Sequence, residues 1–197
     1  MINLNDSTFD AKEGKAVFNG GNAGIANDVT LSVDKKKPED KEGSPDYKLT
    51  FTDADGGSCN SSFWTITKAT DYATIEEQIQ KQGKVLKHIL HAIYGKDFQL
   101  PQFQSAAEML NGCMKLIREG LPNAGKFRIF ANYGTTSSVK QYIQPRSWVP
   151  FMETMSTPIE STVLKAGTLD ALARVEKDTF VATTGSTAGV TPAGEDW

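Results

Sequence analysis

Between Gly120 and Met152 the chain carries no acidic residue, while four cations, Lys126, Arg128, Lys140 and Arg146, alternate with six rings, Phe127, Phe130, Tyr133, Tyr142, Trp148 and Phe151. The 197-residue protein as a whole has a formal net charge of -3, so this imbalance is local. Ammonium and guanidinium groups neutralise phosphates, and flat rings give unpaired bases a surface to stack on. The competing reading is burial, because most aromatic residues in strands belong to cores.

The elements that must carry these residues read as strands. From Lys126 to Tyr133, alternation puts Phe127, Ile129 and Ala131 on one face and Lys126, Arg128, Phe130 and Asn132 on the other. The apolar set is expected in the core. The mixed set is expected on the contact surface, with Phe130 as the stacking ring. The following loop supplies Tyr133, Lys140 and Tyr142, and a strand region from Tyr142 to Met155 adds Arg146 and Trp148. Pro145 and Pro150 mark that region as an edge or bulged strand. Two or three stacks of roughly 1–3 kcal/mol each, with several phosphate contacts, predict affinity that falls steeply with salt and has little sequence preference.

A second candidate patch is Lys35, Lys36 and Lys37, although Glu39, Asp40, Glu42 and Asp46 follow closely and mixed clusters are ordinarily solvated loops. Upstream, Lys15 to Asn19 is a short apolar segment. Val29 to Val33 and Tyr47 to Thr52 alternate with period two, and the turn Asp53 to Gly57 leads to a third strand near Ser61 to Ile66. Tyr47, Phe63 and Trp64 fit core and contact surface equally; in Phe63-Trp64 the rings point to opposite faces, so at most one is expected to be exposed, unless the pair is buried on both sides.

The period then changes. Thr74 with Glu77 forms a capping box ahead of the stripe Ile75, Ile79, Leu86, Ile89, Leu90 and Ile93, which stops at Gly95. Ser105 with Glu108 opens a second helix, with Met109, Leu110, Cys113, Leu116 and Ile117 inward and a stop near Gly120. A short helix is expected at Thr168 to Lys177, and residues 181–197 have the composition of a flexible tail.

Hydrophobic content of 39% with 23% charged residues describes a soluble globular chain. No apolar run approaches the roughly 18 residues of a membrane span, and the N-terminus has no signal-like pattern, which predicts a cytoplasmic protein without membrane attachment. Cys59 and Cys113 are then expected to be reduced. His88 and His91 stand three apart on a helix, but no further ligand motif completes a metal site, and no cofactor is expected. Nucleophile elbow, phosphate-binding glycine loop and HExxH are all missing, so the chain reads as a binding protein and not an enzyme.

Three strands, a helical insertion at about 73–120 and two further strands give a mainly β, α+β chain, with residues 1–180 as one domain. This is the linear order of the OB-fold, a five-stranded barrel that binds oligonucleotides, here with two helices between strands 3 and 4. The segments KKKPEDKEGSPDYKLTFTD, FRIFANY and SWVPFMET, with the tail ending in Glu195, Asp196 and Trp197, resemble the single-stranded-DNA-binding proteins of bacteriophages. The resemblance covers about a third of the chain and departs from that group in having only two acidic residues at the tip. It implies single-stranded DNA as partner, in replication, recombination or repair inside a host cell. It also implies that the tail recruits a polymerase, helicase or primase; a homo-oligomer is compatible with it. The rival class is a virion or assembly protein using the barrel as a packing module, with Phe130 and Trp148 buried or against another subunit. RNA binding is a third reading, since no residue here reads or rejects a 2′-hydroxyl.

Overall fold

The computed structural model describes residues 16–135 and 141–173. The chain is an α+β protein whose described residues form a six-stranded antiparallel sheet and two α-helices: β1 (Gly24–Lys35), β2 (Tyr47–Thr52), β3 (Ser58–Phe63), α1 (Ile75–Tyr94), α2 (Ala106–Ala124), β4 (Phe127–Thr135), β5 (Gln141–Pro145) and β6 (Met152–Thr154). Strand order is β3-β2-β1-β4-β5, with β6 on β4 beside β5.

β1 reaches both halves of the sheet because it bends. Its second half pairs with β2 from Thr30 to Lys35, and its first half pairs with β4 from Gly24 to Val29. Between them the register shifts, and Asp28 takes a positive φ of 55°, the geometry of a β-bulge that turns a strand from one partner to another. No hydrogen-bonded ladder joins β3 to β5 among the described residues, yet the two strands come within 8 Å Cα–Cα of each other.

The helices start where their caps predict. Thr74 accepts from the Glu77 N–H while the Glu77 carboxylate accepts from the Thr74 N–H, a complete capping box. At α2 only half of the box forms: Ser105 accepts from Glu108, but the Glu108 carboxylate takes the Gln104 N–H instead. The apolar faces of both helices join Leu49, Phe51, Phe127 and Ile129 in one core.

Four expected elements come out differently. α2 does not stop at Gly120 but continues to Ala124, ahead of Gly125 at φ 71°. Gly120 serves contact instead of termination, because a Cβ there would lie 2.5 Å from Ile93 Cγ2 and 2.6 Å from Tyr94 Cζ. The long last strand is two short ones, β5 and β6, separated by a turn containing the cis Val149–Pro150 bond, so the sheet has six strands and not five. Phe18–Gly21 is a 3-10 turn where the sequence offered a short apolar segment. Of the expected helix from Thr168, residues 168–173 are irregular, and the remainder lies outside the described residues.

Gly120→Ala is expected to lower the urea midpoint, at a cost of roughly 1–2 kcal/mol, because overpacking of Ile93 and Tyr94 outweighs the better helix propensity of alanine. An unchanged or raised midpoint would show that the helices separate at no cost.

Candidate nucleic-acid interface

β4 is the centre of the candidate region, and it is buried on both faces. Phe127, Ile129 and Ala131 face the core, as alternation requires. The opposite set is buried as well: Arg128, Phe130 and Asn132 are covered by the segment running from β6 through residue 173. Phe130 retains only 2% exposure, which corrects the expectation that it is the stacking ring.

The covering segment is held by two buried ion pairs. Arg128 donates from Nη1 to Glu153 Oε1 at 2.6 Å and to the Thr157 carbonyl at 3.2 Å, and from Nε to Asn27 Oδ1 at 3.1 Å. Arg146 donates from Nε to Asp170 Oδ1 at 2.9 Å and from Nη2 to Asp170 Oδ2. Its other donors reach the carbonyls of Pro150 at 2.9 Å and Lys165 at 2.7 Å. The Arg146 guanidinium also lies 3.7 Å from the centre of the Phe130 ring and 5.5 Å from that of Trp148. Both arginines, expected as phosphate contacts, are therefore occupied by carboxylates of their own chain. Burial pushes the Asp170 carboxyl up, but hydrogen bonds from the Gly167 N–H, Asn132 and Arg146, together with the Arg146 charge, outweigh it and hold the group below its ordinary value.

The remaining candidates are spread out. Lys126 is exposed and pairs with Asp28 at 3.5 Å. Tyr133 is half-buried, and its hydroxyl donates to the Gly21 carbonyl at 2.9 Å. Lys35, Lys36 and Lys37 border a groove shared with Asp40, Glu42 and Asp46, with the Lys35 ammonium 5.8 Å above the Tyr47 ring. Lys140, Glu195, Asp196 and Trp197 lie outside the described residues.

Exposed rings gather elsewhere, around a groove of about 500 Å³ between β3 and β5. Trp64 at 49% exposure and Tyr142 at 44% both line it, with Asn60, Ser61, Ser62 and Gln144 between them. Trp148, 38% exposed, sits over Arg146, which lines the same groove. Trp64 is held from both sides: its indole N–H donates to the Gly43 carbonyl at 3.2 Å, and its carbonyl accepts from the Gln82 amide at 3.0 Å. The sequence left Trp64 undecided between core and surface. The usable signal was the Phe63-Trp64 alternation, which buries Phe63 and exposes Trp64.

His88 has a different role. Its Nε2 accepts from the backbone N–H groups of Phe151 and Met152, both at 3.1 Å, so an imidazole terminates the outer edge of β6 in place of another strand. Burial pushes this histidine down to about 4, and a proton on Nε2 would meet two N–H donors. Cys59 and Cys113 are buried and free, and burial raises their thiols to about 12 and about 11, which leaves them unreactive. Among the described residues no three His, Cys, Asp or Glu side chains cluster to hold a metal ion, and no helix is long and apolar enough to cross a membrane. Comparison with family models, curated proteins and solved structures found no match, so fold and site are read from the chain itself.

Arg146→Ala leaves the Asp170 carboxylate buried without its partner and is expected to cost about 3–5 kcal/mol of stability, whereas the apolar pair Arg146→Met with Asp170→Leu costs far less. Equal losses in the two variants, measured by urea unfolding, would contradict this.

Because the folded-state value of His88 lies below its ordinary 6.5, its contribution is complete above 6.5 and is lost as the pH falls toward about 4. Stability is expected to decline from pH 6.5 toward about 5, above the carboxylate range, and to stay flat there in His88→Gln, whose amide oxygen can accept the same bonds. An equal decline in both proteins would assign the effect to another group.

Proposed function

We propose that the chain binds single-stranded DNA with little sequence specificity, as a bacteriophage-type protein of replication, recombination or repair. The observation that carries the reading is that two exposed rings, Trp64 and Tyr142, line one groove between β3 and β5, with a third, Trp148, beside the groove's Arg146. Between the rings, the hydroxyls and amides of Ser61, Ser62, Asn60 and Gln144 suit the polar edges of bases without selecting one. Each stacked base contributes about 1–3 kcal/mol, and every base has a face to stack.

An OB-fold-like architecture supports the same reading. Strand order β3-β2-β1-β4-β5, the long bent β1, helices inserted between β3 and β4, and the approach of β3 to β5 are what a small Greek-key barrel requires. The packing-module alternative calls for Phe130 and Trp148 to be buried or against another subunit; a buried Phe130 and an exposed Trp148 fit it too, so oligonucleotide binding is what separates the two readings.

One element of the binding differs from the expectation raised by composition. With Arg128 and Arg146 committed to Glu153 and Asp170, phosphate neutralisation falls to surface lysines such as Lys48 and the Lys35–Lys37 run. Stacking then carries a larger share of the affinity, and the salt dependence is shallower than the basic composition implies. Recruitment of a polymerase, helicase or primase by the Glu195-Asp196-Trp197 tip belongs to the same proposal and rests on the resemblance alone.

Titration with oligo-dT at two salt concentrations tests the reading through tryptophan fluorescence. Quenching is expected, with Trp64→Ala and Tyr142→Ala each weakening binding by about 1–3 kcal/mol while leaving the unfolding midpoint in place. Phe130→Ala is expected to lower stability instead. No quenching and no mobility shift at low salt would overturn the proposal.

A further inference from the structure

A second cavity, of about 860 Å³, opens between the C-terminal half of α1 and residues 150–163, away from the β3–β5 groove. Its size falls in the range of small-molecule clefts, roughly 300–1,000 Å³. One wall is apolar, built from Ile93, Tyr94, Met152 and Val163. The Tyr94 ring is locked in place, stacked on Phe98 at 4.4 Å with its hydroxyl donating to the Leu116 carbonyl at 2.8 Å.

His88 lines this cavity in a single tautomer. With Nε2 accepting from two backbone N–H groups, the neutral ring carries its proton on Nδ1, and that N–H has no hydrogen-bond partner among the described residues. Unlike a hydroxyl, which rotates to donate or accept, this group can only donate, so it selects an acceptor such as a ring nitrogen or carbonyl. An anion deep in the cleft is disfavoured, because the acidic side chain of Glu153 lines it. Negative charge belongs instead at Lys96, which lines the cleft, is exposed, and pairs with no carboxylate among the described residues. The chemistry required is a flat, uncharged ring with an acceptor edge, attached to an anionic group.

We propose that this cleft binds one nucleotide unit, its base against the apolar wall and accepting from His88, its phosphate at Lys96. The unit is either a free nucleotide or one nucleotide of a bound strand, and only the strand-borne form rests on the single-strand reading. The cleft shares no lining residue with the groove except through neighbouring positions of the 145–153 segment, so the two sites can be separated by substitution.

The test uses the full chain labelled with ¹⁵N, titrated with thymidine, dTMP and oligo-dT. It reads the amides of Phe151 and Met152, which bond directly to His88. dTMP is expected to shift both amides saturably, and thymidine more weakly. Lys96→Glu is expected to weaken dTMP roughly tenfold through charge reversal, with thymidine unaffected. Val163→Trp, which fills the cleft, is expected to abolish both responses and leave Trp64 quenching by oligo-dT intact. Shifts with oligo-dT that vanish in Val163→Trp assign the site to the strand, and shifts with dTMP alone assign it to the free nucleotide. If dTMP produces no saturable shift, or binds Val163→Trp as it binds the unaltered chain, the cleft is not a nucleotide site. Loss of oligo-dT quenching with dTMP binding preserved would sink the single-strand reading alone.

Discussion

The guanidinium of Arg146 ties together more of this protein than any other described group. Four of its hydrogen bonds run to Asp170, Pro150 and Lys165, its backbone N–H donates to the Phe130 carbonyl, and its flat face rests on the Phe130 ring. It thereby joins β4, β5, the turn between β5 and β6, and the segment that follows β6. A planar group with five donors can satisfy several carbonyls and a carboxylate at once, which an ammonium cannot do in fixed geometry. Its position also sets the shape of the candidate interface. By drawing residues 165–170 over β4, it buries Phe130 and Asn132 and leaves Trp148 above it as a partly exposed ring.

That arrangement changes the chemistry available to a ligand. A composition rich in cations suggests an electrostatic groove, yet the two arginines are internally neutralised, and a buried ion pair is weak evidence of net stabilisation even when breaking it is costly. What remains at the β3–β5 groove is a pair of exposed rings with neutral polar side chains beside them. Under the proposed function, such a surface favours unpaired bases over duplex DNA, because a duplex keeps its base faces stacked. Arg128 with Glu153 repeats the same device two residues along β4 from Phe130, where Arg128 and Glu153 are directly paired in the β4–β6 register.

Local sequence signals were read well where the physics was local. The Thr74–Glu77 box, the Gly95 stop, the apolar stripes of both helices and the alternation in β1, β2 and β4 all act over a few residues. The assignment of Phe127, Ile129 and Ala131 to the core followed from period two and the core face of a sheet. Gly120 does not end α2 as expected, because glycine both ends helices and permits close helix packing, and only the partner helix distinguishes the two. Phe130, Arg128 and Arg146 are buried against expectation because alternation says that two faces differ, not whether something covers the second.

The sequence by itself thus determined the order of the elements as far as β4, the helix starts and the core face of β2 and β4, since these depend on capping and periodicity between near neighbours. It also marked the stretch from Gly120 to Met152 as the place where cations and rings concentrate. Only the tertiary structure decided which of them meet solvent. The deciding contacts, Arg146 with Asp170 and Arg128 with Glu153, join residues 24 and 25 positions apart through an irregular covering segment with no periodicity to announce it. The same holds for the groove. Trp64, directly after β3, and Tyr142, in β5, lie on opposite sides of the helical insertion in sequence, and the bend of β1 that brings β3 toward β5 makes them neighbours.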